Sequence, residues 1–167
     1  MFYLYNPIVL IHQTAEVIHE RLEVPEGAHE VIKQRAYMRD KGAFMTDWHE
    51  EHIPEFKLIA EQALSIANEQ SDTYDMEITH LWGQLYNEGD FQESHDHVPH
   101  DYTFVFYVNT PEGSSPIVFD ASMEELHPRP GSLLVFPGWV KHSVPKNKCK
   151  GRSIIAGNFS VPHNIYP

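Results

Sequence analysis

The chain is short of several things that would point elsewhere. It has one cysteine, Cys149, among 167 residues, so an internal disulfide is excluded and a reducing compartment fits. Lys and Arg together number 12 against 24 Asp and Glu, a formal net charge of −12. Such a surface repels phosphate backbones and anionic membranes, which argues against nucleic-acid and membrane partners. No apolar run reaches the length of a membrane span. The opening MFYLYNPIVLIHQ lacks a basic region and a small-residue cleavage site, so it does not read as a secretory signal. No G-x-S-x-G, Walker or C-x-x-C motif occurs, and neither does an internal repeat, a low-complexity tract or a linker. A cytoplasmic, intracellular protein of one domain, 1–167, is the expectation.

Against these absences, 41% of residues are hydrophobic and 12% aromatic, enough for a packed core. The 12 histidines titrate near pH 6.5 when unperturbed, so the negative charge should fall in mild acid.

Residues 2–11 are aromatic and β-branched around Asn6-Pro7 and read as an edge strand. Thr14 is a candidate N-cap for a helix through Leu22, with Ala15, Ile18 and Leu22 on one face. Pro25-Glu26-Gly27 marks a turn. Residues 28–52 are polar and give no clear period; Phe44 and Trp48 are their expected anchors in the core. Pro54 suits the first turn of a helix over 54–69, where Phe56, Ile59, Ala60, Ala63, Leu64 and Ala67 recur at helical spacing. That stripe reads as a face packed on a sheet. From Asp75 onward the pattern is β: strands over 76–86, 102–109, 116–119, 132–136, 139–144 and 152–161. Turns at 110–115, 128–131 and 137–138 and a polar loop over 145–151 separate them. The spacing predicts a mostly β fold, a sandwich or barrel of the jelly-roll kind with an N-terminal helical layer, residues 1–75 supporting a core over 76–161.

The chemistry concentrates in one stretch. His95 and His97 stand at i and i+2, and on extended backbone both imidazoles point to one side, where they can grip a metal ion. His142, far along the chain, is a candidate third ligand; three ligands on one face leave positions open for other molecules. With 12 histidines a chance H-x-H pair competes with this reading. Tyr86, Gly89, Thr103 and Tyr107 flank the pair. Phe136-Pro137 precedes His142, and Arg152 follows it by ten residues.

That ordered set, over about residues 78–160, resembles the 2-oxoglutarate/Fe(II)-dependent oxygenases. It is most similar to their prolyl-hydroxylase-like branch, and within that to a group found in phages and bacteria. The resemblance implies a double-stranded β-helix, Fe(II) as cofactor, 2-oxoglutarate and O₂ as co-substrates, and hydroxylation of a peptidyl proline or a small molecule. His95 and His142 match the first and last iron ligands. Arg152 matches the residue that pairs with the far carboxylate of 2-oxoglutarate, where a guanidinium fork can bond both oxygens. Tyr86, Tyr107 and Thr103 match positions facing the co-substrate; for the tyrosines, core packing is the competing account.

One position departs from the pattern. Most such enzymes carry Asp or Glu where this chain has His97, so a three-imidazole site is one negative charge short. His97 is the expected ligand, with Asp96 or Asp101 as alternative carboxylates and a degenerate site as a further possibility. His100 and Asp101 read as groups that orient the ligands or as solvated loop residues, and Trp82 and Trp139 as core. Lys141, Lys146, Lys148, Lys150 and Arg152 form a basic stretch that could draw in an anion; the lysines at 146–150 read as a solvated hairpin. Two other functional classes remain open: a three-histidine, cupin-type metalloenzyme without 2-oxoglutarate, and a non-catalytic β-barrel binding module. The sequence is silent on oligomeric state and prime substrate.

Overall fold

A computed structural model describes residues 8–9, 16–40, 42–71 and 75–162. In chain order the elements are β1 (Ile8–Val9), β2 (Glu16–Arg21), α1 (Ala28–Arg35), β3 (Met38–Asp40), β4 (Ala43–Met45), α2 (Pro54–Ser71) and β5 (Glu77–Tyr86). There follow β6 (Gln92–His95), β7 (Tyr102–Asn109), β8 (Ile117–Phe119), β9 (Glu124–Leu126), β10 (Ser132–Pro137), β11 (His142–Val144) and β12 (Arg152–Ser160). The strands form an eight-stranded sheet, β1-β2-β10-β7-β12-β5-β4-β3, and a four-stranded sheet, β6-β11-β8-β9. Every strand pair is antiparallel. The architecture is mostly β, of the jelly-roll kind expected.

The two-residue period of a strand sorts side chains to opposite faces, and the central strands use it fully. On β7, Phe104, Phe106 and Val108 face the helices, where they join Leu133 and Val135 of β10 and Ile155 and Phe159 of β12. Ala28 and Ile32 of α1 and Phe56, Ile59, Ala60, Ala63 and Ala67 of α2 close this layer. A fully buried Phe contributes up to ~3 kcal/mol through the area it removes from water, so this face contributes much of the fold's stability. Gly83 of β5 lets the helices come close: a Cβ there would sit 3.0 Å from both Ile32 and Phe56 side chains. The alternate residues of the same strands, among them Trp82, Tyr86, Thr103, Val105, Tyr107, Arg152, Ile154 and Asn158, line a cavity.

The helix expected over 54–69 and the strands of the C-terminal half stand close to where the pattern puts them. The N-terminal portion differs. Residues 16–21 form a strand, β2, and Thr14 and Ala15 lie outside the described residues. Val17 and Ile18 are both buried and sit in different apolar clusters, as expected of neighbours on a strand covered on both faces. β2 pairs with β10, Ile18 opposite Val135 and Arg21 opposite Ser132, a partner more than a hundred residues away that local periodicity cannot reveal. Of the edge strand expected over 2–11, only Ile8–Val9 is described, at the edge of the larger sheet. The polar stretch 28–52 makes α1, β3 and β4. Phe44 is only half-buried, under the Arg39 guanidinium at 4.8 Å. Trp48 is not in the core; it is 37% exposed beside the cavity.

Candidate functional site

β6 and β11 bring the first and last candidate ligands together. His95 and His142 are direct cross-strand partners, and their ring centroids lie 4.3 Å apart. His97 stands two residues beyond the end of β6. Its ring stacks on His142 at 5.1 Å with the planes 5° apart, and the two Nε2 atoms are 3.3 Å apart. One ring nitrogen from each of the three residues falls within 4.8 Å of the others.

The backbone fixes which nitrogens face the centre. A carbonyl only accepts, so His95 Nδ1–H donates to Glu93 O at 2.7 Å and His142 Nδ1–H to Val140 O at 3.0 Å. The Nε2 atom of each is left carrying its lone pair, the form in which imidazole binds a metal. His142 is buried, and burial, reinforced by repulsion from His95 and His97, holds its pKa well below the ordinary value. It is therefore neutral at pH 7.

The loop carrying His97 is pinned at Gly138, between β10 and β11. His97 N–H donates to Gly138 O at 2.7 Å, and Gly138 N–H to Asp101 O at 3.0 Å. A Cβ at Gly138 would lie 2.0 Å from the His100 carbonyl oxygen, so only glycine permits this approach.

The carboxylates weighed against His97 have other duties. Asp96 accepts from Val98 N–H at 3.1 Å, within its own turn. Asp101 accepts from Val161 N–H at 2.8 Å on the surface. Neither joins the imidazole cluster. His100 is half-buried, with Nδ1 3.1 Å from both Thr79 Oγ1 and Ser160 Oγ, and these contacts hold it to the ends of β5 and β12.

Arg152 lines the same cavity as the imidazoles. It is 1% exposed and sits at the start of β12, opposite Tyr86 of β5. Its guanidinium lies 4.5 Å from the Tyr86 ring centre and 5.3 Å from that of Tyr107. Nε–H donates to Ser115 O at 3.1 Å, while Nη1 is buried with no hydrogen-bond partner. Among the described residues no carboxylate forms an ion pair with it. The Tyr107 hydroxyl is likewise buried without a partner, and burial raises its pKa to about 12. Burial also pushes Tyr86 up, against the pull of Arg152. Both phenols are therefore donors at neutral pH. Thr103 lines the cavity too, but its hydroxyl donates to Gly157 O at 2.9 Å, leaving only lone pairs for a ligand. Lys141, Lys146, Lys148 and Lys150 are exposed and do not line the cavity; of the basic stretch, Arg152 alone reaches it.

Between imidazoles and guanidinium lies a cavity of about 740 Å³, roomy enough for two small reactants. The fold has counterparts among solved structures. A viral collagen prolyl hydroxylase from Paramecium bursaria Chlorella virus-1, in complex with 2-oxoglutarate, superposes with a TM-score of 0.68 at 14% identity, over 86% of this chain and 96% of that one. A 2OG-Fe(II) oxygenase family oxidoreductase from Burkholderia pseudomallei gives 0.65 at 12% identity, over 86% and 84%. A prolyl-4-hydroxylase from Pseudomonas putida gives 0.63 at 17%, over 87% and 92%. The fold is that of the 2-oxoglutarate/Fe(II) oxygenases. No family model matches the chain, and no curated protein matches it by sequence.

On this oxygenase fold the sequence reading missed one whole wall of the cavity. Trp48, His49, His80, Trp82, His100 and Asn158 form it. His80 packs against His49, His100 and Trp48 with centroids 5.3, 4.9 and 5.8 Å away. Trp82 is buried as expected, yet it lines the cavity and lies 4.9 Å from Trp48. Trp139, also expected in the core, is 44% exposed: it follows Gly138 in a turn and lines a separate cleft with Tyr102, Pro137 and Val161. No motif marks His80 or Asn158. Only the strand register, which sets Asn158 opposite His80, shows that they meet. Among the described residues no helix is long and apolar enough to cross a membrane.

Proposed function

We infer that the protein is an Fe(II)- and 2-oxoglutarate-dependent oxygenase that hydroxylates a peptide or small-molecule substrate, a peptidyl proline being the leading candidate. The observation that carries this reading is Arg152. A buried guanidinium with an unpartnered Nη1 and no acid beside it is costly unless an anion completes it. The three imidazoles stand in the same cavity. A cupin-type metalloenzyme without 2-oxoglutarate, or a passive binding module, leaves that charge unexplained. The names of the superposed prolyl hydroxylases support the proline reading at the level of fold. The reading takes 1–167 as one domain, supported by β2 and β4 pairing with β10 and β5 of the C-terminal half.

The donor set fits the group it would hold. His95, His97 and His142 would bind Fe(II), two of them with the outward nitrogen already fixed to a carbonyl. Arg152 would hold the far carboxylate of 2-oxoglutarate through Nη1, and the Tyr107 hydroxyl would donate to the same carboxylate. The Tyr86 and Tyr107 rings keep the guanidinium in place, and Thr103 contributes wall rather than a donor. When bound, Fe(II) with 2-oxoglutarate and O₂ supplies the oxidising power, giving succinate, CO₂ and a hydroxylated substrate. The apolar wall of Val105, Ile117, Ile154 and Ala156 excludes water around the reacting groups. No side chain is required as a general base.

Anaerobic loading with Fe(II), followed by 2-oxoglutarate and air, should yield succinate slowly even without a prime substrate, and faster with the right peptide from a proline-containing panel. Absence of both succinate formation and measurable 2-oxoglutarate binding, in folded and iron-loaded protein, would falsify the assignment.

A further inference from the structure

Four residues that line the cavity each carry a polar side-chain atom buried without a hydrogen-bond partner: Arg152 Nη1, Tyr107 Oη, Trp82 Nε1 and Asn158 Oδ1. The first two are absorbed by the co-substrate reading. The other two are not. Trp82 is 3% and Asn158 4% exposed, and leaving such atoms unsatisfied costs free energy that a bound ligand would recover.

They are neighbours on one wall. Trp82 of β5 is opposite Ala156 of β12, and Asn158 is opposite His80, so Trp82 and Asn158 are diagonal partners on the same face, within reach of one small group. Their chemistry is complementary. An indole can only donate. Asn158 Nδ2 is engaged by His80 Nδ1 at 3.3 Å, which turns Oδ1 away from His80 as an acceptor. The wall therefore offers one N–H and one C=O, both uncharged. The Trp48 ring beside Trp82 adds an apolar surface.

We propose that Trp82 and Asn158 form the prime-substrate subsite and recognise an amide, Trp82 Nε1–H donating to its carbonyl and Asn158 Oδ1 accepting from its N–H. This rests on the oxygenase reading for the word substrate. A net charge of −12 turns away nucleic acids, whose bases also carry amide edges, and leaves a peptide bond or carboxamide. The subsite shares the cavity with the imidazole cluster: the Trp82 ring stacks on His97 with centroids 6.2 Å apart.

The test uses the full chain without metal or 2-oxoglutarate, so its outcome is independent of the succinate assay. The three tryptophans give three indole N–H signals in a nitrogen–proton correlation spectrum, assigned by Trp→Phe variants. The probes are N-methylacetamide, its dimethylamide counterpart N,N-dimethylacetamide and the ester methyl acetate, each with a single carbonyl. The methylamide should move the Trp82 indole signal downfield and saturably. The dimethylamide and the ester, each lacking the N–H, should bind about tenfold more weakly, the loss of one hydrogen bond to Asn158. Asn158→Leu should abolish that discrimination, and Trp82→Phe should weaken all three probes while melting no lower than the parent. A still Trp82 signal, or equal affinity of the wild type for all three probes, overturns the proposal, and the second needs no variant to fold.

Discussion

The two faces of the central strands make the instructive contrast. On β7, residues 104, 106 and 108 and residues 103, 105 and 107 differ only in parity, yet the first set is sealed in an apolar layer and the second opens on the cavity. The helix-facing side holds Phe104, Phe106, Leu133, Val135, Ile155 and Phe159, and its buried Ser153 hydroxyl is matched by His29 of α1. The cavity-facing side holds four buried polar atoms with no partner. One face secures the fold by apolar burial, and that surplus lets the other carry groups that weaken the free protein and await a ligand.

Substitutions on the two faces should therefore separate stability from activity. The largest effect on turnover is expected from His142→Ala: succinate formation should vanish, while the urea midpoint barely moves. The largest effect on stability should come from the opposite face, where Phe106→Ala should cost about 3–5 kcal/mol through the cavity it leaves, read from urea unfolding. Next is Arg152→Met. Loss of a buried charge pair should weaken 2-oxoglutarate binding by about 2–4 kcal/mol, roughly 30- to 1000-fold. The free protein should lose little stability, because the charge removed has no acid partner. Tyr107→Phe is a smaller version of the same experiment: about 1 kcal/mol of binding lost, with apo stability equal or higher since an orphaned hydroxyl is gone. Calorimetry with 2-oxoglutarate and a redox-inert divalent metal would read both.

The smallest effect per group concerns pH. Burial holds His19, His29, His80, His100 and His142 below the ordinary imidazole value. The unfolded chain then takes up protons below about pH 6.5 that the folded chain refuses. Stability should be at its full value above pH 7 and fall towards pH 5.5. The fall should shrink in His142→Ala, whose parent side chain is the most buried of the five. Urea midpoints at pH 7.5 and 5.5 would show it; a flat profile in the wild type would contradict the burial of these rings.

Much of this contrast can be read from the chain because period two is strong where both faces are buried. Residues 102–109 and 152–160 announce strands, the H-x-H pair stands out by its spacing, and His142 and Arg152 stand out as polar side chains beside apolar residues. What stays hidden depends on partners remote in sequence. Ile18 and Leu22 sit at helical spacing, and only β10, more than a hundred residues away, makes their segment a strand. α1 buries just Ala28 and Ile32 among its eight residues, too few to declare a period. Asn158 and His80 belong to no motif, and each gains meaning only across the β5–β12 ladder.

Gly138 has a consequence for how the imidazole cluster could come apart. His95 and His142 are paired across two hydrogen-bonded strands, whereas His97 hangs on a loop whose contact with Gly138 leaves no room even for a methyl group. Alanine at 138 would pry that loop outward and draw His97 away from His95 and His142 without altering any of the three imidazoles. The cluster is thus asymmetric in its vulnerability, with two imidazoles woven into the fabric of the sheet and the third carried on a loop beside it.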